Sequence, residues 1–207
     1  MFRIIVKILQ IPFVFIPLLI GMLVVLPFAA NSVLSFFKPH RTSEIAPLFT
    51  PQVQYWGQDI VRWSNNNGID PNLMATIMQI ESCGHPTVSS RAGAQGLFQV
   101  MPFHFHAGEE MLDPNTNALR SAIFIRECTA YANGDVGLIL ACYNGGPSVT
   151  QRSFDQWPAE TKRYYVWGLG IYVDAIHNMP ESQTLDQWLL AGGVNLCNSA
   201  GVALGMR

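Results

Sequence analysis

The hydrophobic pattern divides the chain in two. Ile8 to Ala30 is almost wholly apolar, and no charged residue lies between Lys7 and Lys38. About 20 apolar residues cross a bilayer core as one helix. The apolar region of a signal peptide usually runs only about 7–15 residues. The pattern therefore favours an uncleaved single-pass anchor over residues 1–37, although Ala29-Ala30-Asn31 also fits a cleavage site. Pro12, Pro17, Gly21 and Pro27 interrupt the run, which membrane helices tolerate. Residues 38–51 hold Pro39, Pro47 and Pro51 without a sustained period, and read as a linker.

Beyond residue 51 the apolar spacing becomes helical. Val53, Trp56, Ile60 and Trp63 predict a helix from Pro51 to Ser64, closed by Asn65-Asn66-Asn67-Gly68. Asp70 is a good N-cap and Pro71 suits the first helical position. Leu73, Ile77 and Ile80 continue that helix on one face, and Glu81 projects beside them in its last turn, with Gly84 placed to end it. A Gly/Ser/Ala-rich connection follows to about Pro102. Asp113-Pro114 repeats the start signal, with Ala118, Ala122, Ile125 and Thr129 on one face. Gly134-Asp135 begins a short helix ending near Tyr143, and Gly145-Gly146-Pro147 breaks it. Pro158 opens a long helix with Tyr165, Leu169, Tyr172, Val173 and Ile176 predicted inward. Thr184 is the expected cap of a last short helix carrying Leu185, Trp188 and Leu189. No segment alternates as a strand does. The reading is a mainly α domain over residues 52–180, with residues 181–207 as a C-terminal helix and tail packed on it.

Charge and cysteine content narrow the function. Four of the 12 basic residues flank the apolar run, which leaves eight basic against 14 acidic residues from Thr42 onward. A nucleic-acid surface would be basic. Arg3 and Lys7 before the run nearly balance Lys38 and Arg41 after it, so loop charge does not set the orientation. Cys83, Cys128, Cys142 and Cys197 form no CxxC or CxxH pattern, so a zinc site is not expected. An exported domain would allow two disulfides in any of three connectivities, against the alternative of buried free thiols. His104-Phe105-His106 with Glu109-Glu110 lacks zinc spacing and reads as solvated loop or groove-lining residues. Neither metal nor cofactor is expected.

Glu81 is the candidate for chemistry. No other acid occurs until Glu109. A carboxyl facing apolar surroundings has a raised pKa, so it can hold a proton near neutrality and serve as a general acid. The competing reading is a Glu that reaches solvent from the helix end.

Three ordered motifs carry a resemblance. They are Glu81-Ser82 with Ser90, Gly93-Ala94, Gly96-Leu97-Phe98-Gln99 and Met101-Pro102; then Tyr143-Asn144-Gly145-Gly146-Pro147; then Glu160-Thr161 with Tyr164. This ensemble, spanning roughly residues 67–175, resembles the soluble-type lytic transglycosylases, relatives of goose-type lysozyme. Phe98 replaces a usual Met, Cys142 stands where Ala is common, and Tyr164-Tyr165 offers two candidates for a single Tyr.

The resemblance implies a lysozyme-like fold with little strand and cleavage of the MurNAc-β-1,4-GlcNAc bond of peptidoglycan. It makes Glu81 the single catalytic acid, then base, yielding 1,6-anhydro ends. Ser90 is expected to bond the Glu81 carboxylate or an N-acetyl group. Gln99 and Asn144 would contact sugar hydroxyls or acetamides, and Tyr143 would aim its hydroxyl at the sugar or at Glu81. Glu160 and Tyr164 complete the implied substrate-binding set. Among five Trp residues, Trp157 is the preferred glycan-facing one, with Trp56 and Trp63 assigned to the core. A Cys83–Cys142 bridge, leaving Cys128–Cys197, would accompany convergence of the motifs. A hydrolytic muramidase and an inactive peptidoglycan-binding module of a secretion, conjugation or phage-entry machine are the alternatives. The implied partners are glycan strands and, through the N-terminal helix, a membrane. The domain is expected outside the cytoplasmic membrane, where peptidoglycan lies.

Overall fold

The structure is a computed structural model that describes residues 43–206. The expected membrane anchor and the start of the linker lie outside the described residues. Among the described residues, no helix is long and apolar enough to cross a membrane. They belong to one compact unit.

Among the described residues, eight α-helices carry the fold: α1 Pro51–Tyr55, α2 Gly57–Asn67, α3 Pro71–Glu81, α4 Pro114–Tyr131, α5 Val136–Gly145, α6 Ala159–Ile176, α7 Gln183–Trp188 and α8 Val194–Ala203. Among the described residues there is no strand; only isolated bridges pair Ser89 with Gln95 and Gln95 with Val100. The mainly α expectation holds.

Helix α3 is the centre. Asp70 Oδ1 accepts from Asn72 N at 2.8 Å, capping the start as its sequence predicts. Every residue from Pro71 to Gln79 is buried. A helix apolar on all sides needs neighbours all round; α2 and α6 pack against α3, and α5 packs between α4 and α6. Small residues allow the close approach. A Cβ on Gly168 of α6 would fall 3.1 Å from Leu140 Cδ1 of α5 and 3.5 Å from Ile80 Cδ1 of α3. Overpacking of that kind typically costs about 1–3 kcal/mol.

Several sequence expectations are corrected. The expected first helix is two, broken at Trp56, whose indole N–H donates to Gly84 O at 2.9 Å. The linker is packed from Ile45 onward: Ile45, Leu48 and Phe49 are core residues, and Ala46 N donates to Asn72 Oδ1 at 2.8 Å. On α4, Ala118, Ala122 and Ile125 are buried but Thr129 is exposed, its hydroxyl donating to Ile125 O at 2.8 Å. The inward face of α6 is Thr161, Tyr164, Gly168, Ile171 and Ala175. Val173 and Ile176 are instead exposed, while Tyr165, Leu169 and Tyr172 are half-buried. The cap of α7 is Ser182, not Thr184: Ser182 Oγ accepts from Leu185 N and donates to Asp174 Oδ2 at 2.6 Å. Nor is α7 the last helix, since a wide turn over Leu189–Gly193 leads into α8.

The cysteine pairing also differs. The bridges are Cys83–Cys197 and Cys128–Cys142. Cys142 therefore ties α5 to α4 rather than to the end of α3. Its departure from the usual Ala has a partner in Cys128, one helix away.

Candidate active site

The C-terminal end of α3 meets the first turns of α6 and the end of α5 along an open groove of about 240 Å³. Glu81, Glu160, Tyr164 and Asn144 line it. These four come from three separate sequence motifs. Ile80, Arg163, Trp167 and Trp188 complete the lining.

Glu81 is the last residue of α3 and is only partly exposed. Its carboxyl faces buried surroundings, and this desolvation pushes its pKa up to about 8 from 4.5. The Tyr164 hydroxyl opposes the shift by favouring the ionised form, and the Glu160 charge adds to it. Tyr164 is buried, and its hydroxyl has no hydrogen bond of ordinary geometry. It still lies close enough to the carboxyl to matter electrostatically. Burial and the Glu81 charge push the Tyr164 hydroxyl well above its ordinary range. Burial thus favours the protonated form of Glu81 near neutral pH, at a position that opens on a groove.

The second and third motifs hold each other. Thr161, nearly fully buried, donates its hydroxyl to Asn144 Oδ1 at 2.8 Å. That bond leaves the Asn144 amide NH₂ as the side chain's donor. Gly145 permits the contact, because a Cβ there would meet Thr161 Oγ1 and Val149 Cγ1, each at 2.8 Å. Tyr164, rather than Tyr165, belongs to the groove. Tyr165 packs edge-on against Trp157 and Phe154, with centroids 5.4 and 5.7 Å away.

The first motif after Glu81 is bonded largely to itself. Ser82 Oγ donates to Leu97 O at 2.6 Å, joining the end of α3 to the Gly96–Gln99 turn. Ser90 is exposed; its Oγ accepts from Ala94 N at 3.0 Å, closing a tight turn, and it makes no hydrogen bond to Glu81. Gln99, at φ 45°, donates Nε2 to Val88 O and Gly96 O at 3.0 and 2.9 Å. Tyr143 donates its hydroxyl to Phe98 O at 2.8 Å and shares a 3.0 Å bond with Ser121. That hydroxyl anchors the turn, while remaining within reach of the Glu81 charge, which together with burial raises its pKa. Ser90, Gln99 and Tyr143 do not line the groove as the other candidates do.

Asn117 carries no motif or periodicity signal, yet it organises this turn. Its Oδ1 accepts from Phe98 N at 2.9 Å, and its Nδ2 donates to Gln95 O and Met111 O at 2.8 and 2.9 Å. Gly96, at φ +70°, leaves room for it: a Cβ would fall 2.8 Å from Asn117 Nδ2.

Trp157 is not glycan-facing. It is buried, and its indole N–H donates to Val149 O at 2.9 Å. His104 stacks between Phe103 and Phe124, and Glu109 bonds Arg120. Among the described residues, no group of three or more His, Cys, Asp or Glu side chains is placed to hold a metal.

Residues 59–166 match the transglycosylase SLT domain family, and that match covers half of the chain. The chain belongs to this family. A transglycosylase of Enterobacteria phage PRD1 is 34% identical over 111 residues, which is 53% of this chain and 40% of that protein. The chain thus spans less than half the length of that relative. The lytic transglycosylase Slt of Pseudomonas aeruginosa, solved as an inactive mutant, aligns over 70% of this chain and 24% of its own. Its sequence identity is 19% and its TM-score 0.43. The SLT match includes Glu81 and five of its groove neighbours but stops before Trp167 and Trp188.

Sequence could have found Trp167 and Arg163. They share α6 with Glu160 and Tyr164, and Trp167 lies three residues after Tyr164, on the same side of the helix. Trp188 had no local signal, because it reaches the groove from a different element.

Proposed function

We propose that this chain is a lytic transglycosylase that cleaves the MurNAc-β-1,4-GlcNAc bond of peptidoglycan with Glu81 as acid and then base. The observation that carries the reading is a desolvated carboxyl, with its pKa pushed up to about 8, at the edge of a groove that a glycan strand can enter. The Glu81 carboxylic acid protonates the glycosidic oxygen, the C1–O bond breaks, and GlcNAc leaves with a free 4-hydroxyl. The Glu81 carboxylate then takes the C6 hydroxyl proton of the MurNAc residue. O6 bonds to C1, giving the 1,6-anhydro product and restoring the acid. No water is consumed.

Tyr164 suits the ionised half of this cycle. Its unpaired hydroxyl is a donor held ready for the carboxylate formed after the first proton transfer. Asn144, fixed by Thr161, offers its amide NH₂ to a sugar oxygen. Ser90, Gln99 and Tyr143 support the reaction by shaping the turn behind Glu81.

One observation favours a second reading, hydrolysis. Glu160 is a second carboxylate on the groove, exposed and able to orient a water. Mass spectrometry of digested peptidoglycan separates the two. Anhydro ends support the lyase, and reducing MurNAc ends support the hydrolase. Loss of both products in Glu81→Gln is expected under either reading; unchanged release would remove Glu81 from the mechanism. We further propose that the N-terminal run anchors the chain in the cytoplasmic membrane with this domain outside. Protease digestion of the domain in intact spheroplasts tests this, and full protection would overturn it.

A further inference from the structure

The segment after α6 lies outside the residues that match the family, yet it reaches the groove. Trp188, the last residue of α7, lines the groove beside Glu81 and Tyr164. Only 5% of its surface is exposed. Its indole N–H has no hydrogen-bond partner among the described residues, although the indoles of Trp56, Trp63 and Trp157 each have one.

The ring is held from behind. A Cβ on Gly193 would fall 2.5 Å from Trp188 Cε3 and Cζ3, so the turn after α7 closes directly on the indole. The segment is fastened at two further points. Gly170 of α6 packs so tightly on Thr184 that a Cβ there would come within 2.5 Å of Oγ1. The Cys83–Cys197 bridge then ties α8 to the turn two residues beyond Glu81. Gln79, buried in α3, donates to Cys83 Sγ at 3.1 Å within that joint.

The balance of polar groups indicates what the indole serves. Glu81 and Glu160 can accept from sugar hydroxyls once ionised. The Trp188 N–H has no acceptor among the described residues, and the Asn144 amide NH₂ and the Arg163 guanidinium bring further donors to the same groove. Donors in excess call for a ligand group that only accepts. On a strand of N-acetylated sugars the strongest such acceptor carried by every residue is the acetamide carbonyl oxygen, the ring and glycosidic oxygens being weaker.

We infer that residues Gln183–Ala203 are part of the substrate site and that Trp188 is a specificity-determining residue whose indole N–H donates to an N-acetyl carbonyl of the glycan. This rests on the glycan-cleaving function proposed above. The test compares unmodified protein with Trp188→Phe, which keeps a ring and removes the donor. The substrates are soluble, uncrosslinked peptidoglycan strands, either native or chemically de-N-acetylated. On native strands Trp188→Phe should raise KM about fivefold to tenfold, as loss of one hydrogen bond would, with kcat nearly kept. On de-N-acetylated strands the two proteins should have the same KM. Equal KM values on native strands, or an equal loss on both substrates, would overturn the inference. If the unmodified protein released no muropeptides at all, the functional proposal would fail instead. Thermal unfolding checks that Trp188→Phe folds. Gly193→Ala, which keeps the indole but displaces it, should give the same acetyl-dependent KM change; a change independent of acetylation would also overturn the inference.

Discussion

Two glutamates in this molecule carry the same side chain and end in opposite states. Glu81 closes a buried helix, and burial without a cationic partner pushes its pKa up to about 8. Glu109 lies on the loop before α4, where Arg120 Nε donates to it at 2.8 Å and His106 N at 2.9 Å, with a second contact from the Arg120 guanidinium. Those partners, Arg120 first, hold Glu109 down to about 2. A carboxylate given donors becomes a fixed charge that fastens a loop. A carboxyl denied them keeps a proton that it can transfer. The contrast is the physical reason for proposing Glu81 rather than Glu109 as the acid.

The sharpest test removes the transferable proton. Glu81→Gln should lower muropeptide release by about 10²–10⁴-fold, the usual contribution of a general acid. Unmodified protein should lose activity as pH rises through about 8, because the acid must be protonated to act. A rate that kept rising past that pH would contradict the assignment.

Next in size is the joint behind Glu81. Replacing Cys83 and Cys197 with Ser opens a bridge between residues 114 apart and should cost about 2–5 kcal/mol in urea unfolding. Removing Cys128–Cys142, which spans 14 residues, should cost less, since a shorter loop gives up less entropy in the unfolded chain. Only the first pair touches the comparison. Freeing α8 from the end of α3 admits water to Glu81, so the alkaline limit of activity should move below about 8. The second change should leave that limit in place.

A smaller effect concerns stability. A carboxyl whose folded pKa is raised binds its proton more tightly in the folded state. Stability therefore declines as pH rises from the ordinary 4.5 through about 8. Glu81→Gln removes the decline. It should stabilise the fold by on the order of 4 kcal/mol at pH 8 and by almost nothing at pH 4. Identical unfolding midpoints at both pH values would mean that the carboxyl is hydrated.

The sequence was legible where a local rule controlled the outcome. Asp70-Pro71, Asp113-Pro114 and Asp135 cap α3, α4 and α5 as their side chains predict, each accepting from a backbone N–H in the first turn. Spacing along α3 places Glu81 beside the apolar face, the motifs single it out together with Asn144, Glu160 and Tyr164, and all four line one groove. What failed was decided at long range. The inward face of α6 holds Gly168, Thr161 and Ala175 because α5 and α3 leave little space there. The larger Val173 and Ile176, which hydrophobicity alone would bury, are left outside. The motif also marks Ser90 and Gln99, but Ser90 closes a turn with Ala94 N rather than bonding Glu81, and the Gln99 amide is turned onto Val88 O and Gly96 O rather than into the groove. Trp188 lies more than 100 residues from Glu81, and Cys197 lies 114 residues from Cys83, and no periodicity reports such contacts.

Glu109→Gln is the mildest perturbation and completes the contrast. The change keeps the side chain's shape and one acceptor but removes the charge facing Arg120, whose side chain is nearly buried. A buried guanidinium left without its counter-charge is destabilising. A carboxylate with a depressed folded pKa contributes stability that is complete above the ordinary 4.5 and is lost as pH falls through about 2. The variant should therefore melt below the unmodified protein at pH 7, and the two should converge as pH approaches 2. Muropeptide release at saturating substrate should stay close to that of the unmodified protein, since Glu109 does not line the groove. A matching loss of activity would place the loop before α4 in the site and blur the division between the two glutamates. Convergence at low pH with activity intact would show one carboxylate serving the fold while the other serves the reaction.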